Sequence, residues 1–269
     1  MTMKSLLLCA DDFCASAYVS QGIAELAALG RISATSVMVL SPRWPQDAAL
    51  LRDLRGRIDV GLHLDWTSSF ALRAGHGMTL GAAMRRALFG GFDQAAAHER
   101  IARQLDAFEQ QWKAPPDHID GHQHVHQFAG IRQPLVALIA QRYGQSKPLL
   151  RIARVPAAQA DFKSWVIAAM GATALEQEAL RAGIACSAGL SGVYDFRGDA
   201  DRYAGLMACW LRTTAQGGVI MCHPSSQAVA DDGPGPARER EYAYLKSEIF
   251  SQALSQAQVR LVRATQLQT

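Results

Sequence analysis

The sequence of 269 residues predicts an α/β fold, a distorted (β/α) barrel of about seven or eight parallel strands that is similar to a TIM barrel. Short apolar runs alternate with helical patterns of ten or more residues, which is typical of parallel βα units. No GxGxxG or GxxxxGK(S/T) motif follows the first strand, which disfavours a nucleotide-binding open sheet. Because 49% of the residues are hydrophobic, one large core is expected, with a single domain over residues 1–269.

In the first half of the chain, apolar runs predict strands and helical periodicity predicts the helices between them. Ser16 is expected to cap the first helix, and Gly30 to end it. The predicted strands cover residues 6–10, 33–40 and 58–64, and the predicted helices cover 16–29, 46–54 and 94–112. Residues 65–91 are predicted to form a lid-like insertion with one short helix near 80–89.

The second half of the chain repeats this alternation and ends in a further strand. The predicted strands cover residues 118–121, 149–155, 183–187, 218–222 and 259–262, and the predicted helices 131–143, 161–182, 203–216 and 239–256. A loop rich in Gly, Pro and Asp is predicted at residues 225–236. This number of βα units favours a closed or distorted barrel over an open sheet.

Composition and charge exclude several classes of protein. The formal net charge is +3 and the basic residues are scattered, so we expect no nucleic-acid partner. No apolar run reaches the roughly 18 residues of a membrane span, and the apolar run near the N-terminus is too short for a signal peptide. A cytoplasmic location is therefore expected. The five cysteines fit no zinc-ribbon spacing and are expected to be reduced, although a nucleophilic role for Cys14 stays open.

Polar side chains follow several of the predicted strands. The pair Asp11-Asp12 follows the first strand, His63 ends the third, and His122 and His223 follow two later ones. Because the carboxyl ends of the strands meet at one mouth of a barrel, these side chains are expected to converge. Each of these residues, taken by itself, could instead have a purely structural role. An acid can stabilise a helix N-terminus, and a histidine can be a hydrogen-bonded core residue.

The densest cluster of polar residues lies in the run HIDGHQHVH. His118, Asp120, His122, His124 and His126 are spaced by two, so an extended chain would point them to one side. Histidine is the commonest metal ligand, and an aspartate often orients a ligating ring, so the run predicts a metal site. A hydrogen-bonded loop is the alternative. In a helix, His122 and His126 would form an i, i+4 pair, so the choice of ligand among these histidines stays open.

Five segments together make the chain recognisable. ADDF, GRISATSVMV, DVGLHL, PPDHIDGHQHVH and VIMCHP occur in order between Ala10 and Pro224. Because it contains these five segments, the sequence resembles the YdjC-like carbohydrate deacetylase family, also called the ChbG/HpnK family. The chain departs from the family pattern at Cys14, where Gly is usual, and at Gly121, where Ser is frequent.

The resemblance implies a barrel that removes N-acetyl groups from amino sugars with one divalent metal ion. It implies Asp12, His63 and His122 as metal ligands, Asp11 as the catalytic base and His223 as the acid. Zinc and magnesium are the first expectations for the metal, with manganese, cobalt and nickel open. Five further residues are expected to bind substrate or to support the metal ligands, namely Asp120, His124, His126, Arg151 and Trp66. Arg151 or Arg154 is also expected to keep Asp11 ionised.

Two other functions stay open at this point. One is a metal-dependent hydrolase acting on another bond, such as a phosphoester or a non-sugar amide. The other is a catalytically inactive sugar-binding barrel, which the presence of both Asp11 and His223 disfavours, because binding alone needs neither a base nor an acid. The expected partner is an N-acetylated amino sugar or glycan, and a lipid-linked substrate and a homodimer both stay open.

Overall fold

The computed structural model describes residues 3–229 and 234–267. Its strands are β1 (Lys4–Phe13), β2 (Ala34–Val37), β3 (Asp59–Leu64), β4 (His118–Gly121), β5 (Leu149–Leu150), β6 (Leu190–Ser191), β7 (Val219–Cys222) and β8 (Val259–Leu261). Its helices are α1 (Ala17–Ala28), α2 (Trp44–Asp47), α3 (Ala49–Arg52), α4 (Ser69–Arg73), α5 (Leu80–Leu88), α6 (Gln94–Trp112), α7 (Arg132–Tyr143), α8 (Phe162–Ala169), α9 (Ala172–Arg181), α10 (Ala200–Thr213), α11 (Gly235–Lys246) and α12 (Glu248–Gln256). Short 3₁₀ turns cover His122–Gln127, Ala157–Gln159 and Ala264–Gln266.

All the strands pair in parallel, which confirms the predicted α/β class. Their order is β5-β4-β3-β2-β1-β7-β6, and β8 pairs with the start of β1. The segment before β6 returns to β5, where Leu150 N donates to Ala185 O at 2.9 Å and Ser187 N donates to Leu150 O at 3.0 Å. The sheet therefore curls towards closure as a distorted (β/α) barrel.

The first strand shows why the strands read as continuous apolar runs. Leu6 and Leu8 belong to the large core between the sheet and the helices, whereas Leu7 and Cys9 belong to a smaller core on the opposite face of the sheet. Because both faces are covered, the positions from Leu6 to Ala10 are all apolar, and the acids begin at Asp11. Full burial of one such leucine contributes roughly 1.5–3 kcal/mol to folding.

Several predicted boundaries are confirmed. Helix α6 covers Gln94–Trp112 as expected, and Ser16 caps α1 by accepting a hydrogen bond from Val19 N at 3.2 Å. The C-cap of α1 is Leu29 rather than Gly30, which follows it with φ +68°. Among the described helices, none is long and apolar enough to cross a membrane.

Other predicted boundaries are wrong. The single helix expected over 161–182 is two helices, because Gly171 adopts φ +133° between them. The helix expected over 239–256 begins at Gly235 and is divided at Ser247, where the backbone is extended. Residues 183–187 form only an isolated bridge at Cys186, and the strand itself lies at Leu190–Ser191.

The insertion at 65–91 contains two helices, α4 and α5, where one was expected. Ser68 and Thr79 cap them. Trp66, expected among the substrate-binding residues, is fully buried and packs edge-on against His76 at 5.7 Å between ring centroids. The expectation for Trp66 is therefore corrected to a core role, since a fully buried ring has no free face for a sugar.

Candidate active site

The two acids of ADDF lie inside β1 rather than after it. The pairing of β1 with β2 shifts register between Ala10 and Phe13, and Asp12 adopts φ +66°. Neighbouring side chains of a regular strand point to opposite faces, whereas this irregularity brings Asp11 and Asp12 to the same cavity. The left-handed conformation costs a non-glycine residue roughly 1–2 kcal/mol. The backbone strain therefore lies at Asp12, a residue of the candidate site itself.

Asp12, His63 and His122 bring their donor atoms together. Asp12 Oδ1 lies 3.2 Å from His122 Nδ1 and 3.3 Å from His63 Nε2, and the three donor atoms all lie within 4.8 Å of one another. His63 and Asp12 are buried, while the side chain of His122 is 23% exposed and opens the group to the cavity. One carboxylate and two imidazoles form a donor set that suits zinc and related divalent ions.

Asp120 lies beneath this group and orients it. His63 Nδ1 lies 2.7 Å from Asp120 Oδ1, so the ring donates there and leaves Nε2 towards Asp12. Ser36 Oγ donates to the other oxygen of Asp120 at 2.5 Å. This is the supporting role that the sequence suggested for an aspartate beside a ligating histidine.

Arg238 on α11 holds the second oxygen of Asp12. Arg238 Nη2 donates to Asp12 Oδ2 at 2.7 Å, across 226 residues of sequence. Burial raises the pKa of Asp12, but Arg238, His122 and His63 together hold that pKa well below its usual range. Sequence reasoning missed Arg238, because an arginine in a helix rich in charged residues carries no local sign of such a contact.

The charges of the site favour a cation. Three buried carboxylates, on Asp11, Asp12 and Asp120, face two buried guanidinium groups, on Arg151 and Arg238. Burial lowers the pKa of His63, yet Asp120 and Asp12 outweigh it and raise the pKa to about 10. The same negative potential attracts a divalent ion, so the residues present fit the metal that the resemblance implies.

Arg151 fixes Asp11. Its guanidinium donates from Nη1 to Asp11 Oδ1 and from Nη2 to Asp11 Oδ2, both at 2.8 Å, and Nη1 lies 2.9 Å from Asp120 Oδ2. Such a two-point contact sets the plane of the carboxylate as well as its position. Arg154, the other candidate for this role, instead pairs with Glu176 at the surface.

His223 follows β7 and lines the same cavity. Its backbone N donates to Glu241 Oε2 at 2.6 Å, and Tyr194 OH donates to Glu241 Oε1 at 2.6 Å. The imidazole packs edge-on against Phe196 at 5.3 Å between centroids. Burial lowers the pKa of His223, while Asp12 and Glu241 act in the opposite direction. Glu241 is a further supporting residue that sequence reasoning missed.

The histidine run is not extended, which corrects the expectation that its side chains share one side. Residues His122–Gln127 form a 3₁₀ turn in which Gln123 and His124 have positive φ. His126 Nε2 donates to Arg151 O at 2.8 Å, and burial lowers the pKa of His126 to about 4. His118 contacts Ser36 below the site, and His124 lines the cavity. The structure therefore places only His122 of these histidines beside Asp12 and His63.

The cavity above these residues has a volume of about 810 Å³. Its polar end holds Asp11, Asp12, His63, His122 and His223. Its walls are mostly apolar and come from the insertion, from α8 with its C-cap, and from the end of the 3₁₀ turn that follows β4. The apolar lining residues are Leu80, Met84, Phe128, Phe162, Val166, Ile167 and Met170. A pocket of this size with a few converging polar groups is the usual form of a small-molecule site.

Comparisons with known proteins agree with the fold and the motifs. The family model described as YdjC-like protein matches residues 5–256. The chain belongs to the YdjC-like family. A chitooligosaccharide deacetylase of Klebsiella pneumoniae is 30% identical to this YdjC-like chain over 231 residues, 82% of each protein. A chitooligosaccharide deacetylase of Enterobacter sp. is 34% identical over 146 residues.

Coverage differs between these YdjC-like relatives. The Enterobacter match spans 52% of this chain and 57% of that protein, so it covers little more than half its length. Among solved structures, an Enterococcus faecalis protein, provisionally assigned as a cellobiose-phosphate cleavage protein, superposes with a TM-score of 0.74 at 19% identity over 99% of both chains. This similarity confirms the fold.

Cys14 is the position where this YdjC-like chain differs from the family pattern, and the structure shows its backbone conformation and its burial. Cys14 adopts φ +77°, a conformation that favours glycine, the residue that the resemblance led us to expect there. Its thiol is fully buried, burial raises its pKa, and it does not line the cavity. A nucleophilic cysteine needs an accessible thiolate, so these features argue against the nucleophilic role considered for Cys14.

Proposed function

We propose that the protein is a metal-dependent hydrolase that removes the N-acetyl group of an amino sugar or glycan. The observation that carries the proposal is the convergence of Asp12, His63 and His122 within 4.8 Å, in a cavity that also contains Asp11 and His223. The names of the YdjC-like relatives support the carbohydrate substrate.

In this proposal Asp12, His63 and His122 hold one divalent ion. An ion held there supplies acidified water and a polarised amide carbonyl. Asp11, whose carboxylate Arg151 aligns, accepts the proton of the attacking water. His223 gives a proton to the departing amine nitrogen. General acid and base steps contribute roughly 10²–10⁴-fold each, so Asp11→Asn and His223→Gln should lower kcat by factors in that range.

The donor atoms favour some metal ions over others. Two imidazoles and one carboxylate favour zinc, and an oxygen-preferring ion such as magnesium fits less well. Manganese, cobalt and nickel accept the same donors. Metal analysis of protein purified without chelators, followed by reconstitution of the stripped protein with each ion, decides between them.

Acetate release tests the proposed reaction. The protein, reconstituted with its metal, is incubated with N-acetylglucosamine, its oligomers and a lipid-linked N-acetylated sugar, and acetate is measured. The Asp11→Asn variant serves as the control for contaminating activity. Release of phosphate from phosphosugars without acetate would favour the phosphoesterase alternative. Sugar binding without any product would favour the inactive sugar-binding barrel.

We further propose one domain over residues 1–269, a cytoplasmic location and an N-acetylated sugar partner, with lipid linkage and a homodimer as finer hypotheses. Five cysteines that are all free in the structure are consistent with a reducing compartment. Light scattering tests the homodimer, and the substrate panel tests lipid linkage. Cell fractionation in which the protein separates with extracellular proteins would contradict the proposed location.

A further inference from the structure

The insertion carries a net positive charge. Residues 65–91 contain Arg73, Arg85 and Arg86 and one acid, Asp65, whose carboxylate accepts hydrogen bonds from Thr67 N and Ser68 N. All three arginines are exposed, and none forms an ion pair with a carboxylate in residues 3–229 or 234–267. Some exposed arginines elsewhere, such as Arg103 and Arg202, do have carboxylate partners. The charge of this segment is therefore available to an anionic partner.

Large apolar side chains stand beside these arginines. Leu72 is 55% exposed, Leu88 65% and Phe89 84%. Leu88 lies two helical turns beyond Leu80 and one beyond Met84, so the three share one face of α5. Leu80 and Met84 line the cavity, so this apolar face runs from the cavity out to solvent. We call Leu72, Arg73, Arg85, Arg86, Leu88 and Phe89 the basic rim.

Helix α8 presents a matching apolar edge at the same cavity. Phe162 is 80% exposed and Trp165 64% exposed, and their rings stack at 6.2 Å between centroids. Phe162 also lines the cavity. Exposed apolar side chains clustered beside a binding site mark an interaction surface more often than chance. The cavity mouth is thus bordered by apolar groups on two elements. Both elements carry cations, and Lys163 of α8 donates to Tyr194 O at 2.9 Å.

We infer that the basic rim docks the protein on an anionic lipid surface, with the cavity mouth facing the membrane. Apolar side chains next to arginines match the two parts of such a surface, the acyl boundary and the charged headgroups. Aliphatic groups such as Leu72 and Leu88 cannot stack on nucleic-acid bases, whereas they fit the acyl region of a lipid surface. The inference does not depend on the reaction proposed above.

Vesicle co-sedimentation tests the inference with the full chain. Binding is measured on phosphatidylcholine vesicles with and without phosphatidylglycerol, at low and high salt. The protein should bind the anionic vesicles and leave them as salt rises, because screening weakens exposed charge interactions. The double variant Arg85→Gln/Arg86→Gln should bind about thirtyfold more weakly, and Leu88→Ser/Phe89→Ser at least about tenfold more weakly.

A matched control removes exposed apolar groups elsewhere. Leu180 on α9 and Ile249 on α12 are each 61% exposed, so Leu180→Ser/Ile249→Ser should bind like the unaltered protein. Thermal denaturation verifies that all variants fold. Equal binding by the rim and control variants, or equal binding to neutral vesicles, would overturn the inference. The inference would also be overturned if light scattering showed a dimer of the unaltered protein and only the Leu88→Ser/Phe89→Ser variant were a monomer.

Discussion

Asp12 divides its two carboxylate oxygens between two partners. Oδ2 accepts a hydrogen bond from Arg238, and Oδ1 lies between the nitrogens of His63 and His122. A carboxylate held in this way offers one oxygen to a metal ion and cannot rotate freely. The left-handed backbone at Asp12 makes the arrangement costly to form, so it depends on the surrounding strands.

The ligand assignment predicts which histidines matter. His63→Ala, His122→Ala and Asp12→Ala should each lose bound metal and acetate release together. Asp120→Ala should weaken metal binding by about 10–100-fold, because His63 loses the acceptor that orients it. Metal content after dialysis and acetate release measure both effects. His124→Ala and His126→Ala should keep the metal, and the opposite pattern would show that the assigned register is wrong.

Arg151 is predicted to be essential for stability as well as for aligning Asp11. Arg151→Met leaves the carboxylates of Asp11 and Asp120 buried without their cation, which should lower the free energy of unfolding by about 3–5 kcal/mol. Arg154→Met is the matched control, since its surface pair with Glu176 should contribute no more than about 1 kcal/mol. Chemical denaturation measures both, and equal effects would refute the prediction.

At the scale of elements, the contact between β3 and His118 is tight. A Cβ placed on Gly61 would lie 2.4 Å from His118 Nε2, so Gly61→Ala must displace a buried ring that neighbours Asp120. Overpacking of this kind should cost about 1–3 kcal/mol of unfolding free energy. Denaturation of Gly205→Ala provides the contrast.

Gly205 lies in α10 with no atom within 4 Å of an added Cβ. Its replacement by alanine should therefore stabilise the protein by about 0.5–1 kcal/mol, because alanine loses less backbone entropy in a helix. Destabilisation at both glycines would contradict the view that steric contact decides the difference between them.

Local signals predicted some elements well and failed at others. Helix α6 has a long amphipathic pattern and an Asp93 cap, and its boundaries were predicted correctly. The break between α8 and α9 was missed, because Gly171 approaches Gln127 O and its conformation depends on that distant contact. Strand β6 has only two residues, so its place was decided by pairing with β7 rather than by its own composition.

At the scale of the whole molecule, the two ends of the barrel have different chemistry. Asp59 begins β3 at the end of the strand opposite the site, and its carboxylate accepts a hydrogen bond from Ala264 N. Burial and then Asp117 raise the pKa of Asp59 to about 7. The folded protein therefore binds a proton at Asp59 that the unfolded chain releases near pH 4.

This shift predicts a pH dependence of stability. Because the folded-state pKa of Asp59 is the higher one, its contribution to stability falls as pH rises from about 4 to about 7. Between about pH 5.5 and pH 8 the free energy of unfolding should fall by about 2 kcal/mol more in the unaltered protein than in Asp59→Asn. Urea denaturation at both pH values measures this. Parallel pH dependence in the two proteins would exclude Asp59 as the cause.

The linear order of residues was enough to predict the barrel, the strand-end position of His63, His122 and His223, and the membership of Asp11 and Asp12 in one site. Apolar periodicity is a local property, and the parallel strands that it predicts must bring their carboxyl ends together. The ligand geometry proposed here rests on contacts between distant segments. The bulge in β1, the Arg238 contact with Asp12, the Glu241 support of His223 and the burial of Trp66 all depend on packing between distant segments of the barrel, which no local pattern encodes.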